Sequence, residues 1–261
     1  MKEVIVENGE AKGVRLNSGE EIYSFIVVSN ADPKRTFSTL VKPEDAGEAL
    51  VRKAKNWKTQ AGCVKFLAAL KEPPDFSRFL GDSYGRDAIV GIKICPSVEY
   101  FQQSWDDCKN GRPSSSPIMD IQMPSIADPS LAPRGGVVMS NWALYFPPQI
   151  KDGSWDDAGN EVGERIIEVL TEYVPNFRDS LIDWTVQTPV DIETRVGISD
   201  GNIRHGDMIP QQMLSSRFPY RTSIRNFYLC GAGTHPGGEV TGAPGHNSAH
   251  AILKDLARVA T

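Results

Sequence analysis

The residues best suited to chemistry lie near the C-terminus, in residues 226–256, NFYLCGAGTHPGGEVTGAPGHNSAHAILKDL. Six glycines fall within the fifteen residues from Gly231 to Gly245. Residues 227–230 are apolar and β-prone, predicting a short buried strand that stops at Gly231, Ala232 and Gly233. Glycines at a strand end let a ligand approach the main chain, because no Cβ stands in the way. A helix is predicted after Gly245, with Ala249, Ile252, Leu253 and Leu256 at i, i+3, i+4 and i+7 as its buried face. Its first N–H groups, near residues 242–247, carry a partial positive charge and suit a phosphate or a ring bearing negative charge. The primary dinucleotide fingerprint is not met. After Gly231-x-Gly233 the third glycine position holds Pro236, and no strand follows to carry the ribose-binding acid. On spacing alone, a glycine-rich connector between strand and helix remains the other reading.

Other reactive side chains are sparse. His235 sits in the glycine-rich stretch, a candidate for facing a substrate or for bonding to loop backbone, and His205, in GNIRHGDM, is a candidate for lining a substrate cavity. His246 and His250 are spaced i, i+4, but no glutamate of an HExxH motif and no third ligand accompany them, so no metal is expected. Arg204 and Arg217 are read either as neutralising an acidic group or as solvated surface. Trp142, Tyr145 and Phe146 are read as a cavity wall or as plain core. No GxSxG elbow appears. The cysteines, Cys63, Cys95, Cys108 and Cys230, form no CxxC pair and are expected to be buried or half-buried free thiols.

Several elements must position these groups. Val4, Ile5 and Val6 run into Asn8-Gly9, a hairpin signal; residues 13–16 follow, then a turn at Ser18-Gly19. Residues 22–29 end in an apolar run that predicts a strand buried on both faces. Asp32 and Pro33 suit a helix N-terminus. Helices are expected at 43–56, 96–109 (apolar at Val98, Phe101 and Trp105) and 159–174 (Val162, Ile166, Val169, Leu170 and Tyr173), and a short one after Thr188-Pro189. Strands are expected at 63–70, 88–94, 118–123, 137–146 and 181–187. The stretch from about 42 to 200 lacks strict βαβ alternation, which argues for an antiparallel sheet with helices on one side. The fold class is thus α/β and α+β mixed. The opening strand has no upstream partner, so the chain reads as cut from something longer.

With 261 residues, 40% hydrophobic and 23% charged, the chain has the composition of a globular domain or two interleaved ones. A net charge of -5 without a basic cluster argues against nucleic-acid binding. No stretch approaches a membrane span, and the N-terminus lacks a signal or transit pattern.

The run YLCGAGTHPGGEVTGAPGHNSA resembles the C-terminal flavin motif of the phytoene-dehydrogenase-like FAD oxidoreductases, closest to the pyridine nucleotide-disulphide oxidoreductase domain-containing subfamily. GVRLNSGEEIYSFIVVSNADPKRTF resembles the family's meander and returning strand; QMPSIADPSLAPRGGVVMS and GISDGNIRHGDMIPQQM resemble subfamily signatures.

The resemblance implies a partial FAD/NAD(P)-binding domain of the glutathione-reductase type, with a substrate domain on a mixed, largely antiparallel sheet. Residues 1–40 and 206–261 would belong to the FAD domain and 41–205 to the substrate domain. The unit carrying GxGxxG and the ribose-binding acid is missing. By position, Gly231, Ala232 and Gly233 would pass near the pyrophosphate or ribityl chain. Val240, Thr241, Gly242 and Ala243 would lie under the isoalloxazine, where a helix dipole favours the reduced ring. The family reads Gly-Gly-Gly before Val; Glu239 replaces the third and is kept out of the contact set. The implied whole protein removes or adds hydride on an organic, apolar small molecule in the cytoplasm or the mitochondrial matrix. A homo-oligomer is left open. A non-catalytic binding protein on the same scaffold, like the escort and dissociation-inhibitor proteins of prenylated GTPases, is the alternative, as is an inert fragment.

Overall fold

A computed structural model describes residues 1–238 and 240–259. In chain order, the first stretch carries strands β1 (Glu3–Glu7), β2 (Glu10–Arg15), β3 (Glu21–Tyr23) and β4 (Val27–Ser29). The helices α1 (Pro33–Arg35, continued by a π-turn Thr36–Leu40), α2 (Pro43–Ala46) and α3 (Glu48–Lys55) follow. The middle carries β5 (Gly62–Leu70), α4 (Ser77–Leu80), β6 (Gly91–Ile94), α5 (Val98–Lys109), β7 (Ile118–Gln122) and α6 (Pro124–Ala127). It continues with β8 (Val137–Phe146), α7 (Trp155–Tyr173), α8 (Phe177–Ser180), β9 (Leu181–Gln187) and α9 (Pro189–Val196). The last stretch carries β10 (Phe227–Leu229) and α10 (Ala243–Val259). Residues 1–59 with 193–261 form one compact unit, and residues 60–192 a second.

In the first unit, β1, β2 and β3 form an antiparallel meander. Asn8 and Gly9 both adopt positive φ, the two-residue turn that an Asn-Gly pair favours. The expected single strand over 22–29 is two strands. β3 pairs with β2, and β4 leaves to run parallel to β10. The expected burial on both faces fails here: Val27 and Ser29 are buried, whereas Tyr23, Phe25 and Val28 are exposed. Two strands alone leave the outer face of β4 uncovered. The core of this unit gathers Val4, Val27, Phe37, Trp57, Phe218, Phe227 and Leu229. Phe218 stacks on Phe37 at 5.7 Å and meets Trp57 edge-on at 4.9 Å. The expected 43–56 helix breaks at Gly47, whose φ is +79°.

The second unit is a five-stranded sheet, order β6-β7-β8-β5-β9, with every neighbour antiparallel. Val64, Phe66, Ala68 and Leu70 alternate inward along β5. They share one core with Met119, Ile121, Met139, Ala143 and the α7 residues Val162, Ile166, Val169 and Leu170. The expected α7 stripe is therefore buried, with Tyr173 half-buried at its end. Residues 86–89 form a 3-10 turn, so the strand expected from 88 begins only at Gly91.

Two helices bury a different face from the one their apolar spacing predicts. On α5, Val98 is 78% exposed and Phe101 is exposed, while Ser104, Asp107 and Cys108 are buried. The buried face is polar because it is bonded. Ser104 Oγ donates to the Leu144 carbonyl at 2.8 Å and accepts from the Tyr145 N–H at 2.8 Å. Asp107 accepts from Arg112, and from the Ser115 amide and hydroxyl. On α10, Pro244, Ser248 and Ala251 face inward. Leu253 is 61% exposed, and Ala249 and Leu256 are exposed too. Small residues let that helix lie close, and the larger apolar ones are left outside. Cys95 is also exposed, against the expectation of four covered thiols.

Asn141 sits on the inward face of β8, fully buried between Met139 and Ala143, and neither its amide nitrogen nor its oxygen has a hydrogen-bond partner. A buried amide without partners costs about 1–3 kcal/mol, and an apolar group of similar shape escapes that cost. Asn141→Leu is expected to raise the thermal midpoint by a few degrees, on the order of 1 kcal/mol. A midpoint lowered by the substitution in a thermal scan would contradict this account of the site.

Candidate functional site

The candidate site lies wholly in the first unit, at the C-terminal ends of the parallel pair β4 and β10. Ligands of open parallel sheets gather beyond such strand ends. β4 runs into Asn30, Ala31 and the buried Asp32; β10 runs into Cys230, Gly231, Ala232 and Gly233. Asp32 caps α1 as expected, accepting from the Arg35 N–H at 2.8 Å. Its second oxygen accepts from the Ser199 N–H at 3.0 Å, which ties the start of α1 to residue 199. Thr234 closes a turn by donating both its N–H and its hydroxyl to the Gly231 carbonyl, at 3.0 and 2.9 Å.

The first two loop glycines serve packing rather than open access. A Cβ on Gly231 would lie 2.5 Å from the Asn30 carbonyl oxygen, and one on Gly233 would lie 2.3 Å from Pro33. The strand ends approach each other only because these positions carry no side chain. The open glycines are further on: nothing stands within 4 Å of a Cβ built at Gly242 or Gly245.

Arg217 lies beneath the loop. Only 2% of it is exposed, so the solvated-surface reading of this residue is overturned. Its guanidinium donates to the carbonyls of Arg204 (2.9 Å), Gln212 (3.3 Å) and Ala232, and touches the Met208 sulfur at 3.3 Å. Its Nε is buried without a partner, and among the described residues no carboxylate pairs with it. A Cβ on Gly237 would lie 3.6 Å from this Nε. Burial lowers the pKa from the ordinary arginine value, yet the group stays charged. Sequence reasoning raised Arg217 without assigning it, since an arginine beside Phe218 and Pro219 carries no pattern that marks burial.

His205 lies against the same strand end. Its carbonyl accepts from Trp57 Nε1 at 2.8 Å, and its Nδ1 is buried without a partner, 3.2 Å from where a Gly231 Cβ would be. Burial pushes this imidazole below its ordinary pKa; the Asp32 carboxylate pulls the other way, and Arg217 adds to the lowering. It is therefore neutral near pH 7, able to offer one donor or one acceptor. His235 is exposed, and its carbonyl accepts from the Tyr220 hydroxyl. The Cys230 thiol is pushed up by burial, which keeps it protonated.

Val240, Thr241 and Gly242 are exposed, Val240 fully so, and Ala243 is half-buried. Thr241 Oγ1 accepts from the Ala243 N–H at 3.2 Å, which uses one of the first N–H groups of α10. Glu239 lies outside the described residues. His246 and His250 do meet, with ring centroids 4.4 Å apart. Among the described residues no group of three metal-ligating side chains occurs, and no helix is long and apolar enough to cross a membrane.

In the second unit, Phe146 is core, and Trp142 lies under the Lys65 ammonium, 4.0 Å from the ring centroid. Burial pushes the Lys65 pKa down to about 8. Strand register sets Asp120, Trp142, Lys65 and Gln187 in one row across four strands. Sequence reasoning missed this lysine, which looks like any other in a β-strand.

The chain is 34% identical over 259 residues to the rat pyridine nucleotide-disulfide oxidoreductase domain-containing protein 2, covering 95% of this chain and 45% of the relative. It is likewise similar to phytoene desaturases. A limonene dehydrogenase component of Castellaniella defragrans is 27% identical over 98% of this chain and 50% of its own length. The neurosporene-forming phytoene desaturase of Cereibacter sphaeroides is 28% identical over 93% of this chain and 46% of its own. The chain spans about half the length of the curated relatives it matches. An oxidoreductase from Methanosarcina mazei shares the fold, with a TM-score of 0.55 at 14% identity, over 97% of this chain and 48% of the other. No model of a protein family matches the sequence.

The glycines separate packing from access by experiment. Gly233→Ala is expected to destabilise the first unit by more than about 2 kcal/mol, because its Cβ overlaps the Pro33 ring. Gly245→Ala, in the first turn of α10, is expected to be neutral or to stabilise by about 0.5 kcal/mol. Denaturant titration of both variants decides it: equal losses would contradict the assignment.

Proposed function

We propose that the chain is the flavin-contacting, C-terminal portion of an FAD-dependent oxidoreductase that passes hydride to or from an organic, apolar small molecule. The observation that carries this reading is Arg217: a buried cation with no carboxylate partner among the described residues, held beneath a glycine-rich loop at the ends of two parallel strands. Such a charge fits an anionic group resting on the loop. The relatives named above support the redox class.

In this reading Gly231, Ala232 and Gly233 lie along the pyrophosphate or ribityl chain, and Val240, Thr241, Gly242 and Ala243 under the isoalloxazine. The exposed positions among these suit a ligand surface, since a fully exposed valine gains by being covered. His205, neutral and with a free Nδ1, would offer one hydrogen bond to a polar group on the loop; His235 presents its exposed ring on the loop's outer side. FAD, when bound, supplies the two-electron carrier. Arg217 holds the loop, Asp32 holds the start of α1, and the α10 N-terminus contributes its dipole. The domain assignment is read on the compact units: residues 1–59 and 193–261, rather than the expected 1–40 and 206–261, to the FAD domain, and residues 60–192, rather than 41–205, to the substrate domain.

In this reading the adenosine half of FAD is held by residues outside this chain, which spans about half the length of its relatives. Consistently, β4 and β10 form a sheet of only two parallel strands, a type that is ordinarily wider and covered on both faces. Val28, Leu253 and Leu256 are left exposed beside it. These features fit a sheet completed by residues beyond the chain.

The test is an absorption spectrum of the purified product of the longest reading frame that contains this chain. Flavin bands near ~450 nm that bleach on reduction are expected. A colourless, folded protein that also ignores added FAD would sink the proposal. The 261-residue chain by itself is expected to show no sub-micromolar FAD affinity in a fluorescence titration.

A further inference from the structure

Helix α10 presents a second feature that the flavin reading does not use. His246, His250 and Lys254 recur at four-residue spacing and therefore line one side of the helix. With Asn247 and with Tyr220 and Arg221 from the preceding loop, they surround a surface cavity of about 550 Å³.

The chemistry of this cavity is one-sided. Its wall offers an ammonium, a guanidinium, two imidazoles and an amide, and no carboxylate among the described residues. That is a local reversal in a chain of net charge -5. Asp255, next along the helix, is already engaged. It accepts from Arg221 Nε at 2.6 Å and Nη2 at 3.0 Å, and from the Tyr228 hydroxyl at 3.2 Å. Arg221 Nη2 also donates to the Ala251 carbonyl at 3.0 Å. The guanidinium is thus pinned along the wall with Nη1 outside these bonds. Asn247 Nδ2 donates to the Tyr220 oxygen at 3.0 Å, which fixes the opposite rim.

We propose that this cavity binds a phosphate group. The two imidazoles, 4.4 Å apart, can both donate to one phosphate oxygen set between them, with Lys254 and Arg221 taking the others. The cavity is open on its outer side, which leaves room for the rest of a small phosphate monoester, with free phosphate as its minimal form. A transition-metal ion would suit the imidazole pair. The flanking cations oppose it, and no third ligand stands with the pair among the described residues.

The experiment uses the chain as it is. Histidine side-chain NMR resonances and calorimetry follow titrations with inorganic phosphate, with AMP, and with zinc chloride, at constant ionic strength maintained by sodium chloride. Saturable phosphate binding at about 1 mM or tighter is expected, moving the His246 and His250 resonances together. Tighter binding of AMP assigns the cavity to a phosphate ester, and equal affinity to free phosphate. The exposed double substitution His250→Gln with Lys254→Gln is expected to weaken binding at least tenfold at an unchanged melting temperature. Phosphate binding that survives the double substitution overturns the proposal. So does zinc binding without phosphate binding, or the lack of saturation by either phosphate probe.

Discussion

The first unit depends on one buried guanidinium. Arg217 donates to main-chain carbonyls of residues 204, 212 and 232, and so gathers three segments of the chain around one charge. Hydrogen bonds from a charged donor contribute roughly 1.5–3 kcal/mol each, against a desolvation cost of several kcal/mol for the ion. The balance is tolerable only because carbonyl dipoles surround the charge and Trp57 lies beside it, 5.8 Å from ring centroid to guanidinium carbon. What the balance leaves over is positive potential under the glycine-rich loop.

That loop is held from two sides. Below, Arg217 fixes Ala232. Beside it, Gly231 and Gly233 press against Asn30 and Pro33, so the end of β10 and the turn after β4 share one set of contacts. Asp32 extends the same bracket to residue 199. The exposed residues 240–242 are presented from this braced base, with α10 behind them. Rigidity at the base and openness at the tip is the arrangement a cofactor loop needs, because a preorganised site spends little of its binding energy on ordering.

Much of this was legible in the residues. The Asn-Gly hairpin, the Asp32 cap, the alternation of β5 and the α7 stripe all follow local rules, and the antiparallel second unit follows from the lack of βαβ alternation. The loop could be found from glycine density, but not what its glycines touch, since contacts with Asn30 and Pro33 are some 200 residues away in sequence. Periodicity misled on α5 and α10, where side-chain hydrogen bonds and small residues, not apolar area, chose the buried face. Arg217 was opaque for the same reason: its partners are carbonyls, and main-chain acceptors leave no mark in a sequence.

The central claim, that Arg217 holds the glycine-rich loop in place, is tested most directly by hydrogen exchange on the chain itself. In Arg217→Met, the amides of Thr234 and Phe218, which donate to the Gly231 and Gly233 carbonyls, are expected to lose protection by at least about tenfold, equivalent to ~1.4 kcal/mol, while the β1–β2 hairpin of the same unit keeps its own. Unchanged protection at Thr234 and Phe218 would contradict the account.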